Sequence, residues 1–197
     1  CLDQAGLAFC FAPSFHPAMK HVSGVRRRLG VRTIFNFLGP LANPAGAAYQ
    51  LLGVGRPEWL DVLAHALAML GTQKAILVCG RDGLDEVSLC GPTLVREVCG
   101  SQVRALQWTP DDFGLGTVRI DELLVDGPEQ SAALVLEILG GRDSAAARVT
   151  VANAAAALLA ANRVASLRDG VVAARQALET GRARERLQAL IACSRQT

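Results

Sequence analysis

Acidic residues are absent from most of the first quarter of the chain. Between positions 4 and 57 the sequence has no Asp or Glu, whereas it has six cationic side chains, Lys20, Arg26, Arg27, Arg28, Arg32 and Arg56. Positive charge without a counterion raises the free energy of the folded chain. The segment is therefore interpreted either as a solvated basic helix face or as the binding site of an anion.

Other absences narrow the class of protein. No apolar run reaches the ~20 residues that cross a bilayer, and no charged-then-apolar leader opens the sequence, so we expect a soluble, cytoplasmic protein without membrane partners. A net charge of +2 argues against a nucleic-acid partner. The six cysteines form no CxxC pair, which favours reduced, buried thiols over disulfides or zinc. Gly-rich phosphate loops of the two standard types are also missing.

Alternating strand and helix patterns predict an α/β fold. Residues 50–54 and 75–79 are apolar strand-like runs on either side of a helix that begins at Pro57, which is the pattern of a βαβ unit with parallel strands. Residues 93–98 and 102–106 predict an antiparallel hairpin attached to that sheet. Four more helices are predicted over 128–139, 144–161, 167–179 and 183–193. We therefore expect a central, mostly parallel sheet flanked by helices.

Upstream of these elements, the pattern predicts one strand and two helices. Residues 7–11 are a short apolar, aromatic-rich run, interpreted as a buried strand that ends at Pro13. A helix begins at Pro17 and ends at Gly30, and a second covers about residues 33–38.

Helical projection separates the three consecutive arginines. On the helix that begins at Pro17, Arg26 lies at the edge of the apolar face, whereas Arg27 and Arg28 lie on the opposite side. Arg26 is thus the arginine placed to hold an anion in a partly dry site. His16, just before the helix, is either a packing residue at the junction or a polar contact to a ligand.

An acidic loop follows the second apolar strand and contains Asp82, Asp85 and Glu86. Ligands gather at the carboxyl ends of parallel strands in open α/β sheets. Neighbouring carboxylates repel each other and are tolerated where a metal or another cation neutralises them, and hard oxygen ligands favour Mg²⁺. The alternative is an exposed acidic turn without a ligand.

The order of these residues resembles one enzyme family. Residues 11–21 read FAPSFHPAMKH and residues 25–44 read VRRRLGVRTIFNFLGPLANP. With GLDEVS at 83–88, DDFGL at 111–115 and ANAAA at 152–156, they resemble anthranilate phosphoribosyltransferase, in order, over essentially the whole chain.

This resemblance implies a sheet of the nucleoside phosphorylase/phosphoribosyltransferase type. It also implies transfer of the phosphoribosyl group of phosphoribosyl pyrophosphate (PRPP) to anthranilate, which gives N-(5-phosphoribosyl)anthranilate and pyrophosphate in tryptophan biosynthesis. Arg26 would pair with the anthranilate carboxylate, with His16 and Pro40 in the same pocket, and Asp85 and Glu86 would hold Mg²⁺. No residue is assigned as a catalytic acid or base.

The chain also departs from the family pattern. The N-terminal helical region, the Gly-rich GTGGD loop and the KHGNR segment are absent from this sequence, which opens without Met. We expect a carboxyl-terminal portion that is inactive alone. Residues 1–15 would begin the α/β domain, 16–41 would belong to a small helical domain, and 42–197 would complete the α/β domain. The full-length family member is expected to be a homodimer.

Two other interpretations stay open. A pyrimidine nucleoside phosphorylase-like enzyme or a divergent phosphoribosyltransferase would share the fold, but the intact block around Arg26 argues against both. A non-catalytic binding protein would have kept the fold and lost the chemistry. Retention of Arg26, Asp85 and Glu86 counts against that interpretation.

Overall fold

A four-stranded mixed sheet is the centre of the molecule. The computed structural model describes residues 1–15, 28, 39, 41–43 and 45–195. Within them the strands lie side by side in chain order, β1 (Tyr49–Gly53), β2 (Lys74–Gly80), β3 (Thr93–Cys99) and β4 (Gln102–Trp108). β1 and β2 are parallel, whereas β3 is antiparallel to both β2 and β4. The expected α/β class, its parallel unit and its hairpin are confirmed, but the described sheet is mixed instead of mostly parallel, since one of its three pairings is parallel and two are antiparallel.

Helices cover both faces of this sheet. Along the described chain they are α1 (Leu2–Ala5), α2 (Ala12–Phe15), α3 (Leu60–Met69), α4 (Pro110–Phe113), α5 (Pro128–Leu139), α6 (Ala145–Ala160), α7 (Leu167–Glu179) and α8 (Arg182–Ser194), with 3₁₀ turns at Pro57–Trp59 and Ile120–Leu123. The Ser144 and Ser166 hydroxyls cap α6 and α7 by accepting backbone N–H groups three residues on. The four predicted carboxyl-terminal helices are confirmed.

β2 separates two hydrophobic cores. Ile76 and Val78 contribute to the core shared with α6 and α7, whereas Ala75, Leu77 and Cys79 contribute to the core shared with α3. A strand alternates its side chains between the two faces of a sheet, so a strand buried on both faces is apolar throughout. This double burial fixes the position of β2 and of the loop that follows it.

The predicted strand over residues 7–11 is wrong. These residues have no regular structure, Phe9 and Phe11 are 79% and 55% exposed, and Pro13 lies inside α2 instead of ending a strand. A strand needs a neighbour that pairs with its backbone N–H and C=O groups. No strand of the described chain pairs with this segment.

Burial of the cysteines is only partly as expected. Cys79 is buried in β2, but Cys10 and Cys99 are exposed. Cys10 belongs to the segment that forms no strand, and Cys99 is the last residue of β3. The described thiols are free.

Part of the prediction falls outside the described residues. The helices expected over 17–30 and 33–38, and with them the small helical domain at 16–41, stay predictions. Within the described ranges, no helix is long and apolar enough to cross a membrane.

Candidate functional site

The acidic loop, residues 80–88, begins where β2 ends and lies beside the end of β1, because the two strands are parallel. The backbone N–H of Gly80 donates to the carbonyl of Leu84 at 2.8 Å, which closes the turn. Gly83 has a φ of +94°, a backbone conformation that residues with a side chain rarely adopt without strain. The loop thus lies at the edge of the sheet where open α/β folds bind ligands.

Asp82 is bound within its own loop. Its carboxylate accepts hydrogen bonds from the Ser88 hydroxyl and, at 3.1 Å, from the backbone N–H of Leu84. The Ser88 hydroxyl oxygen accepts from the backbone N–H of Cys90, and the Thr93 hydroxyl oxygen accepts from the backbone N–H of Ser88, both at 2.9 Å. Ser88 and Thr93 are fully buried. Asp82 therefore stabilises the turn and is not directed toward a ligand.

Asp85 and Glu86 have exposed side chains. Neither forms an ion pair with a cation that the structure describes. The surrounding protein removes part of the hydration of Glu86 and raises its pKa, and the negative charge of Asp85 raises that pKa further. Lost hydration and a like charge nearby thus both disfavour the ionised form of Glu86.

This carboxylate pair has the donor set of a hard divalent cation. Mg²⁺ is usually bound by one or two carboxylates and keeps water or substrate phosphate as its other ligands. Among the described residues, no group of three or more His, Cys, Asp or Glu could hold a metal, so no third residue of these types joins the pair. The pair therefore fits Mg²⁺ whose remaining ligands are water or phosphate.

Two contacts from outside the loop hold the pair in place. The carbonyl oxygen of Asp85 lies against Gly53 at the end of β1, where a Cβ would be 1.6 Å from it. On the other side, the Asn153 side chain of α6 hydrogen-bonds both backbone groups of Val87. Neither residue has a role that the sequence pattern predicts. A glycine ending an apolar strand and an asparagine inside an Ala-rich helix were the available signals.

The structure does not describe the residues predicted for the anthranilate pocket. Arg26, His16 and Pro40 all lie outside the described residues. The structure therefore brings together the predicted metal ligands Asp85 and Glu86 and leaves the acceptor pocket as a prediction.

Comparison with known proteins places the chain in a family. Residues 1–184 match the glycosyl transferase family, a/b domain. The chain belongs to this family. It is 44% identical to a protein of Chromobacterium violaceum and 49% identical to one of Roseiflexus sp. (strain RS-1), both named anthranilate phosphoribosyltransferase. These alignments cover 99% of this chain but only 57% and 58% of the relatives, so the chain spans a little over half their length.

Solved structures of anthranilate phosphoribosyltransferases also match the fold of this chain. The anthranilate phosphoribosyltransferase of Thermus thermophilus matches with a TM-score of 0.87 at 44% identity, over 95% of this chain and 56% of that one. The Saccharomyces cerevisiae enzyme in complex with PRPP and Mg matches with a TM-score of 0.82 at 30% identity, over 91% and 52%. The same enzyme in complex with 4-fluoroanthranilate matches with a TM-score of 0.84 at 29% identity, over 93% of this chain and 54% of that one. The resemblance inferred from sequence is confirmed.

Proposed function

We propose that this chain is part of an anthranilate phosphoribosyltransferase and contributes its metal-binding carboxylates. The observation that carries the proposal is the exposed Asp85–Glu86 pair beside the carboxyl ends of two parallel strands, in a chain whose family match extends over residues 1–184. The yeast relative solved with PRPP and Mg supports a phosphate-bearing substrate and a divalent cation at such a site.

The reaction needs little chemistry from side chains. The amine nitrogen of anthranilate forms a bond to C1 of PRPP while the bond from C1 to the pyrophosphate oxygen breaks. The electron pair of the broken bond leaves on pyrophosphate, and the proton of the amine passes to water. An aromatic amine is neutral near neutral pH, so no strong base is required before it attacks.

Asp85 and Glu86 would hold Mg²⁺ against the departing group. The metal, when bound, would neutralise charge on the pyrophosphate. The two side chains would fix the position of the metal, and the loop would fix the position of the two side chains. Such positioning and electrostatic stabilisation are sufficient to accelerate a displacement of this kind.

Recognition of the acceptor is proposed for Arg26, with His16 and Pro40 in the same pocket. A guanidinium binds a carboxylate through two parallel N–H···O hydrogen bonds, and anthranilate carries one carboxylate. The yeast enzyme solved with 4-fluoroanthranilate supports an acceptor of this shape for the family.

Turnover is proposed to require the portion of the relatives that this chain does not match. The GTGGD loop, to which the resemblance assigns binding of the PRPP phosphates, and the KHGNR segment that follows it are not in this sequence. The proposal also includes a homodimer formed through residues 16–41 in the longer protein, and a cytoplasmic location.

The test follows anthranilate fluorescence with PRPP and Mg²⁺, using this chain alone and a chimera that adds the unmatched part of the Roseiflexus relative. Turnover by the chimera alone is the expected result. A folded chimera that binds anthranilate without turnover would instead support a non-catalytic binding protein. In the chimera, Arg26→Ala should weaken anthranilate use and spare PRPP binding, with Arg27→Ala as the matched control.

A further inference from the structure

Asn153 makes an unusual set of hydrogen bonds for a residue inside a helix. Its Oδ1 accepts from the backbone N–H of Val87 at 2.9 Å, and its Nδ2 donates to the carbonyl of Val87 at 3.0 Å. The same Nδ2 donates to the Val149 carbonyl of its own helix at 3.0 Å. One side-chain amide therefore satisfies both backbone polar groups of Val87.

These contacts explain why asparagine is present in a run of alanines. Asparagine is a poorer helix former than the alanines around it, such as Ala152 and Ala154. The side chain of Val87 is fully buried, and the residue belongs to no strand or helix whose ladder could pair its N–H and C=O groups. Unpaired, those groups would destabilise the loop.

The hydrogen bonds from Asn153 act on Val87, the residue next to the carboxylate pair. Val87 directly follows Glu86, so a fixed Val87 backbone fixes the direction in which the Glu86 side chain leaves the loop. On the other side of the pair, the Asp85 carbonyl lies against Gly53. The backbone that carries the two carboxylates is thus held between β1 and α6, two elements that are far apart in the sequence.

We propose that Asn153 is a positioning residue that sets the Asp85–Glu86 pair in the geometry that binds a divalent cation. This inference rests on the proposed function, because it takes the pair to be a metal site. It adds a residue that touches neither substrate nor metal and acts through the Val87 backbone. Partners of this kind orient the groups that bind a metal, and their loss typically weakens metal affinity.

The experiment measures Mn²⁺ binding to this chain by electron paramagnetic resonance, with Mn²⁺ as the probe. The double variant Asp85→Asn, Glu86→Gln identifies the fraction of binding that belongs to the pair. Asn153→Ala should weaken that fraction by about tenfold or more. Its stoichiometry at saturation should stay unchanged. Thr150→Ala is the matched control, because Thr150 is an exposed polar residue of the same helix whose hydroxyl donates to the Ala146 carbonyl.

Hydrogen exchange separates positioning from a general loss of structure. In Asn153→Ala, the amide of Val87 should lose protection while that of Leu77 in β2 keeps it. Asn153→Ser, which keeps a polar atom but is too short to reach both groups of Val87, should behave in the same way and provides a second variant if the alanine does not fold.

The outcomes distinguish the two hypotheses. Absence of any Mn²⁺ binding that depends on Asp85 and Glu86 would overturn the metal role and this inference with it. Binding that depends on the pair but is equal in wild type, Asn153→Ala and Asn153→Ser would overturn only the role of Asn153. A shift in affinity confined to the Asn153 variants supports the proposal.

Discussion

The carbonyl oxygen of Asp85 occupies the space that a side chain on Gly53 would fill, because a Cβ on that glycine would be 1.6 Å from the oxygen and 2.8 Å from its carbon. Both atoms are backbone, so no side-chain rotation could relieve the overlap. β1 therefore ends in a residue without a side chain because the loop that follows β2 occupies that space. The contact places one of the two candidate metal ligands against the sheet.

Gly53→Ala is expected to displace the loop. Overpacking of this kind costs about 1–3 kcal/mol of folding stability. Because the displaced backbone belongs to Asp85, binding of Mn²⁺ by the carboxylate pair should weaken as well. Urea denaturation and an Mn²⁺ titration measure the two effects on the same protein.

Gly55→Ala is the matched control for that substitution. Gly55 is two residues on, and the nearest atom to its Cβ would be the Asp85 Cβ at 3.9 Å, an ordinary contact. It should leave both stability and Mn²⁺ binding near wild type. Equal effects of the two substitutions would contradict a specific contact between Gly53 and Asp85.

α6 and α7 approach each other closely at Ala155 and Gly170. A Cβ on Gly170 would lie 2.8 Å from both the Cα and the Cβ of Ala155 and 2.9 Å from its carbonyl oxygen. Replacing a helical glycine by alanine ordinarily stabilises a protein by about 1 kcal/mol. Here the clash should reverse the sign, so Gly170→Ala should lower the free energy of unfolding.

Chemical denaturation measures this effect, with Gln176→Ala as the control. Gln176 is exposed on the same helix, and its side chain should be replaceable at little cost. A Gly170→Ala protein more stable than wild type would show that α6 and α7 can separate without loss, contrary to the close approach of Gly170 and Ala155.

Exposed aromatic side chains near the amino terminus lead to a prediction about association. Phe9 and Phe11 are mostly exposed, and adjoining apolar residues favour contact with other apolar surfaces. The double variant Phe9→Ser, Phe11→Ser should bind less 1-anilinonaphthalene-8-sulfonate and sediment with less concentration dependence than wild type. Its free energy of unfolding should change by less than about 0.5 kcal/mol, since neither ring is in a core.

Val172→Ser provides the comparison for that variant. Val172 is 67% exposed on α7, so its removal reduces exposed apolar area at a different place. It should leave dye binding and sedimentation near wild type. If it lowered both as much as the double variant does, association would not be specific to the Phe9 and Phe11 segment.

Local patterns were sufficient to predict most elements of the fold. β2 is buried on both faces, and its continuous apolar run was recognisable for that reason. The starts of α6 and α7 have serine caps, whose preference is a property of a few neighbouring residues. The position of the acidic loop after a parallel strand followed from these elements.

What the sequence did not reveal depends on distant contacts. Residues 7–11 have the composition of a strand, but a strand also requires a pairing partner elsewhere in the chain. The hydrogen bonding of Asp82 within its own loop depends on the buried hydroxyl of Ser88. Asn153 and Val87 are 66 positions apart, and no periodicity relates them. Roles of this kind follow from packing and not from spacing.

The raised pKa of Glu86 predicts how stability depends on pH. Loss of part of its hydration and the charge of Asp85 raise the pKa above the ordinary value of 4.5, so the folded state holds this proton more tightly than the unfolded chain does. The resulting stabilisation is present below the unfolded-state pKa and is lost as pH rises through the folded-state pKa. Glu86→Gln is neutral throughout, and its stability relative to wild type should therefore increase over that rise in pH.

Urea denaturation of both proteins across this pH range measures the difference, and Asp126→Asn, at an exposed loop carboxylate, is the control. Added Mg²⁺ should reduce the difference in the free energy of unfolding between Glu86→Gln and wild type at neutral pH. A cation that binds the ionised pair stabilises the folded wild-type chain, whereas the variant lacks that pair. A stability difference that does not vary with pH would contradict the assigned environment of Glu86. A gap that varies with pH but not with Mg²⁺ would instead contradict the metal site, since ionised Glu86 would then be repelled by Asp85 without a cation to relieve it.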